Sequence, residues 1–163
     1  MKTFNVLLHV HIDIDEMFLV HQYSLLHYAF GMALDQLERY EAALLRHMQD
    51  EEDILLPVFL ERAGPDRAVS SRLFLDDHTK MRGFIELFKE QTALLAAEER
   101  PEGRLLALLD REAFYKRLCS HHDKREKEVL YSFLDECTTE AERSEILDKM
   151  MTKIDRAKYS AAG

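Results

Sequence analysis

Apolar residues recur along the chain at steps of three and four, the spacing that lines one face of an α-helix. A first stripe, Ile14, Met17, His21, Ser24 and Tyr28, predicts a helix over 15–31 with Asp13 or Asp15 as N-cap. The run before it, FNVLLHV, is too short for periodicity to separate strand, extended arm and helix. A second stripe, Leu37, Tyr40, Leu44, His47, Glu51, Leu55 and Val58, predicts a helix over 36–62 capped by Asp35. Pro57 should bend its last turns, and Gly64-Pro65 ends it. A third, Phe74, His78, Met81, Ile85, Phe88, Thr92 and Leu95, predicts a helix over 67–98 capped by Asp66. Beyond the Pro101-Glu102-Gly103 turn, Leu105, Leu108, Glu112, Tyr115, Cys119, His122, Glu126, Val129 and Phe133 mark a fourth. Thr139 with Glu142 reads as a capping box opening a fifth helix over about 139–160, with Ile146, Met150 and Ile154 as its apolar face.

Four long helices joined by short turns imply antiparallel neighbours, and three–four steps favour nearly parallel axes. The expected fold is all-α: an up-down-up-down four-helix bundle over about 15–134 with an additional C-terminal helix. No linker divides the chain, so residues 1–163 are expected to form one domain. The last helix packs outside the bundle or offers a surface to a protein partner or a second copy.

Composition narrows the class. A formal charge of -9 sets a mean field against nucleic acid and acidic membranes, so neither is expected as a partner. The mix of 47% hydrophobic and 33% charged residues, with only 5 Gly and 3 Pro, fits a helical globule and argues against disorder. Cys119 and Cys137 are too few for a disulfide framework and lack CxxC spacing. No 18-residue apolar stretch occurs, and the N-terminus has neither a long apolar segment nor a small-residue cleavage site. The expected compartment is the cytoplasm.

The inner stripes carry an anomaly. His21, His47, Glu51, His78, His122 and Glu126 stand where a core wants leucine. Two of them open the same unit twice, His47-x-x-x-Glu51 and His122-x-x-x-Glu126, and residues four apart share a helix face. The turns test whether the groups can meet. His21 and His47 fold back about residue 34, beside Gly31 and Asp35; His78 and His122 fold back about residue 100, in the Glu99-Gly103 turn. His27 would need a turn near residue 37, inside a helical stripe. His9 and His11 would put it near 28 or 29, before the glycine. His21 is therefore preferred.

A single buried histidine is most often a satisfied core residue, and Glu51 and Glu126 lie among enough charged neighbours to belong to a solvated face. The repeated unit and the matched turns tip the balance toward a metal site. Unpaired buried carboxylates are costly, and two metal ions remove that cost. Glu51 and Glu126 can bridge the ions while four histidines divide two and two. With one oxo or hydroxo bridge, one position per ion stays open for a small ligand. Such mixed ligation suits iron, manganese or zinc. Ferritin-like di-iron bundles use Glu on two helices and Glu-x-x-His on two others, which is a different arrangement.

Several neighbours stay open at this level. Tyr40 and Tyr115 stand seven residues before His47 and His122, about 10 Å of helix rise and too far to ligate. They line the mouth of a site or are core aromatics. Cys119 touches a substrate channel, takes part in redox chemistry if its pKa is lowered, or is a small buried residue. Asp77, beside His78, is an outer acceptor or merely a nearby acid.

At these residues the chain resembles the hemerythrin-like, or HHE cation-binding, family over about 15–134. The resemblance rests on HMQDEEDILLP (47–57) and HDKREKEVLYS (122–132). The family's His-x-x-x-Glu-Glu, apolar stretch and Pro are complete in the first copy. The second has Lys127 and Ser132 in place of Glu and Pro. Oxygen-carrying hemerythrins have a His-x-x-x-His pair on the third helix, where this chain has only His78. They also have an Asp five residues after the fourth-helix histidine, where it has Lys127. Its set of four His and two Glu is more similar to the di-iron domain of proteins linked to iron-sulfur centre repair. The resemblance implies two iron ions per chain, held by His21, His47, Glu51, His78, His122 and Glu126. Their ligand would be dioxygen, peroxide or nitric oxide. Two other classes remain: an iron or oxygen sensor whose bundle is stabilised by metal, and a bundle binding zinc or manganese. No general base or organic-substrate pocket is identifiable, so the sequence does not decide whether there is turnover.

Overall fold

A computed structural model describes residues 3–150. A 3-10 turn at Phe4–Val6 leads into α1 (Leu7–Leu26), so the ambiguous FNVLLHV run is helical. Phe4 and Leu7 are fully buried, and Val10, Ile14 and Phe18 continue the inner stripe. Asp13 and Asp15 therefore lie inside the helix rather than capping it.

α1 ends earlier than its stripe suggests. The Ala29 N–H donates to Ser24 O and the Tyr28 N–H to Leu25 O, both at 3.0 Å, the paired bonds of a Schellman stop. Tyr28 holds the left-handed position, φ 58°, that glycine usually fills. α2 (Phe30–Asp50) starts at once, so Gly31 and Asp35 are helical rather than a turn and a cap.

α2 runs through a π-helical turn, Glu51–Leu55, into α3 (Leu56–Leu95). Pro57 sits in the first turn of α3, where its missing N–H is tolerated. Gly64 (φ 72°, ψ 174°) breaks the helix, and the chain reverses there. The second long arm of the bundle thus ends near 63 and the third starts at Pro65. The side chain of Asp66, the expected cap, lies outside the description. α4 (Glu102–Arg125) follows the expected turn and continues through a second π-helical turn, Glu126–Tyr131, into α5 (Ser132–Cys137).

The four arms pack as an up-down-up-down bundle with a further C-terminal helix, α6 (Glu140–Lys149). The Thr139 capping box forms as expected: the Glu142 N–H donates to Thr139 Oγ1 (3.3 Å) and the Thr139 N–H to Glu142 Oε2 (2.7 Å). Arg143 donates to Thr138 O, and Arg62 of the second arm to Cys137 O, both at 2.6 Å. Leu147 and Met150 are buried. The expected continuation to residue 160, with Ile154, lies outside the described residues. Phe18, Tyr40, Phe88 and Tyr115 form an aromatic core on one side of the bundle's middle. No helix among the described residues is long and apolar enough to cross a membrane.

Candidate metal centre

Two groups of ligand atoms converge in the bundle's interior: His11, His47, Glu51 and Glu126, and Glu51, His78, His122 and Glu126. The carboxylates belong to both. Glu51 Oε1 lies 3.5 Å from His47 Nε2, and its Oε2 lies 3.5 Å from His78 Nε2. Glu126 Oε2 lies 3.3 Å from His11 Nε2, and its Oε1 2.7 Å from His122 Nε2. The Nε2 atoms are 2.7 Å apart in the His11–His47 pair and 3.1 Å apart in the His78–His122 pair. Each carboxylate thus turns one oxygen to each histidine pair.

The spacing fits metal coordination. Bonds of about 2.0–2.2 Å place neighbouring ligand atoms about 3.0–3.5 Å apart, close to the separations found here. Glu51 Oε2 and Glu126 Oε1 are buried and face only the imidazole nitrogens of the cluster, with no other donor among the described residues to satisfy them. Such oxygens are expensive to bury unless something else satisfies them. The residues present therefore suit two metal ions, each offered two imidazole nitrogens and one oxygen from each carboxylate.

Five of the six residues picked from the sequence come together here. His21 does not, and His11 stands in its place. His21 is fully buried nearer the α1–α2 turn, with Nδ1 donating to Ala33 O (2.7 Å) and Nε2 2.8 Å from Glu112 Oε1. The correction follows from the turn. With the reversal at Tyr28 rather than at Gly31–Asp35, the residue level with His47 is ten positions earlier than expected. The midpoint rule itself survives: His11 and His47 fold back about residue 29, and His78 meets Glu51 about the break at Gly64.

The π-helical turns both begin at the bridging-type glutamates, Glu51 and Glu126. An extra residue per turn re-aims the side chains there, and such bulges recur at functional sites. Pro57 follows the first, but Ser132 takes the equivalent place after the second, so proline is not the cause. The second turn also brings in Tyr131, which sequence reading missed. Its hydroxyl is fully buried, donates to Glu51 Oε1 (2.6 Å) and lies 3.3 Å from His11 Nε2. Position 131 falls outside the fourth stripe, and no sequence signal marked it.

Outer carboxylates hold two of the rings. His78 Nδ1 donates to Glu52 Oε1 (2.8 Å), which also accepts from Arg82 (2.8 Å). His122 Nδ1 faces Asp77 Oδ2 (3.4 Å), which accepts from Arg125. His11 Nδ1 is 3.3 Å from Asp123 Oδ1. Asp77 is thus an outer acceptor, for His122 rather than for the adjacent His78. The carboxylates on the far nitrogens of His78 and His122 fix those ring tautomers so that Nε2 faces inward.

Without metal the charges balance by protons. Burial, reinforced by the neighbouring histidines, drives His11 down to about 3 despite Glu126. Burial also opposes charge on His78 and His122. For His78, bonds to Glu126 and Glu51 outweigh it and raise the ring to about 9. For His122, the Glu126 charge and the Asp77 bond raise it to about 11. Burial and the Glu126 charge push Glu51 up, whereas Glu126, despite its burial, is held well below the usual carboxylate range by His122. Metal binding must displace the protons on His78 and His122.

A cavity of about 20 Å³ touches His11, His47, Glu51, His122 and Glu126. A water needs about 10–15 Å³ of such space, so the cavity admits one very small ligand. No protein family, curated protein or solved structure matches the chain in comparisons of sequence and fold.

Proposed function

We propose that the protein is a hemerythrin-like di-iron protein that binds dioxygen, peroxide or nitric oxide. The observation that carries this reading is the two-sided presentation of Glu51 and Glu126, one oxygen of each toward each histidine pair. His11 and His47 would hold one ion, and His78 and His122 the other. Bound iron would supply redox activity and coordination positions beyond the four protein donors at each ion. The chain's own groups do the rest. Glu52 and Asp77 hold the rings of His78 and His122, Tyr131 fixes Glu51, and the small cavity restricts the ligand to molecules near water in size. The similarity of HMQDEEDILLP and HDKREKEVLYS to the family's ligand segments supports iron.

Anaerobic loading with ferrous iron, followed by metal analysis and absorption spectra before and after oxygen, tests the reading. About two irons per chain are expected from the two donor sets, with new near-ultraviolet and visible bands after oxygen. One iron or none refutes the two-ion reading. Two ions bound only as colourless zinc, with iron rejected, would leave a zinc bundle, and manganese would be told apart by metal analysis.

A second reading is favoured by the burial of the Glu51 and Glu126 carboxylates side by side among the histidines. Metal occupancy then stabilises the bundle by about 2.7 kcal/mol at a hundredfold excess over Kd. Loss of metal would loosen the fold, and the region about α6 would pass that change to a partner or a second copy. Capture of a defined partner by only one metal state supports this sensor reading.

A further inference from the structure

We propose that the cleft between α1 and α4 is the route by which a small uncharged molecule reaches the histidine–carboxylate cluster, with Tyr40 and Cys119 forming its constriction. The destination rests on the metal reading above; the cleft and its selectivity stand on their own geometry.

The cleft has a volume of about 310 Å³, at the lower end of small-molecule sites. Its floor is Phe18, Tyr40, Tyr115 and Cys119, and Leu19 and Ser120 belong to its rim. Four residues, Asp15, Tyr40, Cys119 and Asp123, line both this cleft and the 20 Å³ cavity against the ligand atoms. They form the wall between the two spaces. A molecule passing that wall meets His11, His47, Glu51 and Glu126 directly.

The floor selects against charge. Tyr40 and Tyr115 are almost fully buried and bond to each other through their hydroxyls at 2.6 Å, so both oxygens are already engaged. No cation belongs to the wall, and Asp15 and Asp123 give an anion nothing to replace its hydration. Lys116, at the rim, is held by Gln22 Oε1 at 2.9 Å. Burial pushes the Cys119 thiol up to about 12 and both tyrosines well above their usual range, the same preference for neutral species shown by the lining itself. Cys119 and Tyr40 therefore act as positioning residues for passage, not as reacting groups.

The test has two arms. Iodoacetamide and iodoacetate are of nearly equal size and differ in charge. Labelling of Cys119 in the metal-free protein is followed by mass spectrometry, with the half-buried Cys137 as internal reference. Relative to Cys137, Cys119 should react at least about fivefold faster with the neutral reagent. Leu19→Trp, which fills the rim, should slow that labelling at least about fivefold and leave Cys137 unchanged. Ser120→Trp does the same from α4 should Leu19→Trp fail to fold. In the second arm, nitric oxide binding to the ferrous-loaded protein should slow in the same variants with the iron content unaltered. Equal labelling by both reagents, or labelling insensitive to both tryptophans, overturns the proposal. Labelling blocked while nitric oxide binds at the wild-type rate overturns it as the route to the centre. A wild-type protein that takes up no iron defeats the metal reading and the destination with it, and the labelling still decides whether the cleft admits neutral molecules.

Discussion

Replacing His21 and His11 in turn separates two roles that look alike along the chain. His21 and Glu112 are both fully buried, and their atoms approach to 2.8 Å. Nδ1 bonds to Ala33 O, and Nε2 bonds to Glu112 Oε1. Gln22 donates to the other Glu112 oxygen at 2.9 Å. His21→Ala strips the carboxyl of its main partner and opens a cavity. Removing one member of a buried pair costs about 3–5 kcal/mol. In a domain of this size each kcal/mol lowers Tm by about 2–4 °C, so a fall of about 6–20 °C is expected. Metal content at a temperature where the variant is folded should stay at about two ions per chain. The double variant His21→Leu/Glu112→Leu should recover most of the loss, because apolar replacement of a whole buried pair is often nearly neutral. His11→Ala should do the reverse, losing metal while the metal-free fold holds. Metal analysis and melting curves of loaded and metal-free protein read both effects. The reasoning is wrong if His21→Ala loses metal while folded, or if His11→Ala keeps two ions at wild-type affinity.

Glu52→Gln should weaken metal binding by about 10- to 100-fold in chelator competition, as loss of an outer carboxylate does; unchanged affinity would deny Glu52 a hold on His78. In the metal-free protein, His78 and His122 are raised above their usual 6.5, so their stabilisation is complete below that pH. It is lost as pH rises through about 9 and about 11. His11, held at about 3, acts in the opposite sense, and stability falls as pH drops from 6.5 toward 3. Tm of the metal-free protein should decline on both flanks, and metal should remove the alkaline decline; a flat alkaline limb without metal would contradict the proton-for-metal exchange. Tyr28→Gly should be stabilising by up to about 1 kcal/mol, the relief of a left-handed tyrosine less glycine's own entropy cost. Tyr28→Val should be destabilising, and urea unfolding that gives both variants the same sign would refute the strain at this turn.

The bundle was legible because its arms keep a three–four stripe and three of its punctuation marks behave as expected: the Gly64 break, the Pro101 turn and the Thr139 box. The repeated His-x-x-x-Glu unit likewise put four site residues in place, since residues four apart on a helix must share a face. His78 followed from the turn at 96–101. The error at His21 came from one local choice. Glycine is the usual left-handed residue at a helix end, so the turn was read at Gly31, whereas the chain turns at Tyr28. Nothing local announces a tyrosine in that role; it is imposed by burial of Leu25 before the turn and Ala33 after it. A shift of about five residues in the turn moves the partner of His47 by ten positions, nearly three helical turns, and another histidine happens to stand there. Tyr131 was invisible for a different reason: a π-helical turn adds a residue and rotates the following face away from the regular stripe.

Those π-helical turns also explain how two equivalent segments build one asymmetric centre. His47 with Glu51 and His122 with Glu126 lie 75 residues apart in the chain, and Tyr40 and Tyr115, at the same offset, bond across the bundle. The two halves contribute matched carboxylates, but the residues around them differ. Tyr131 donates to Glu51, and its counterpart at the same offset is Leu56, which donates nothing. Glu126 instead faces His11 on one side and His122 on the other. The outer shell is uneven too: Glu52 and Asp77 each carry an arginine, whereas burial raises Asp123, beside His11, to about 8. The His78–His122 side is therefore the more strongly charge-anchored half. The His11–His47 side is the less charged half, with neutral His11, the tyrosine and the small cavity. Along the proposed α1–α4 route, an incoming ligand would meet that second half first.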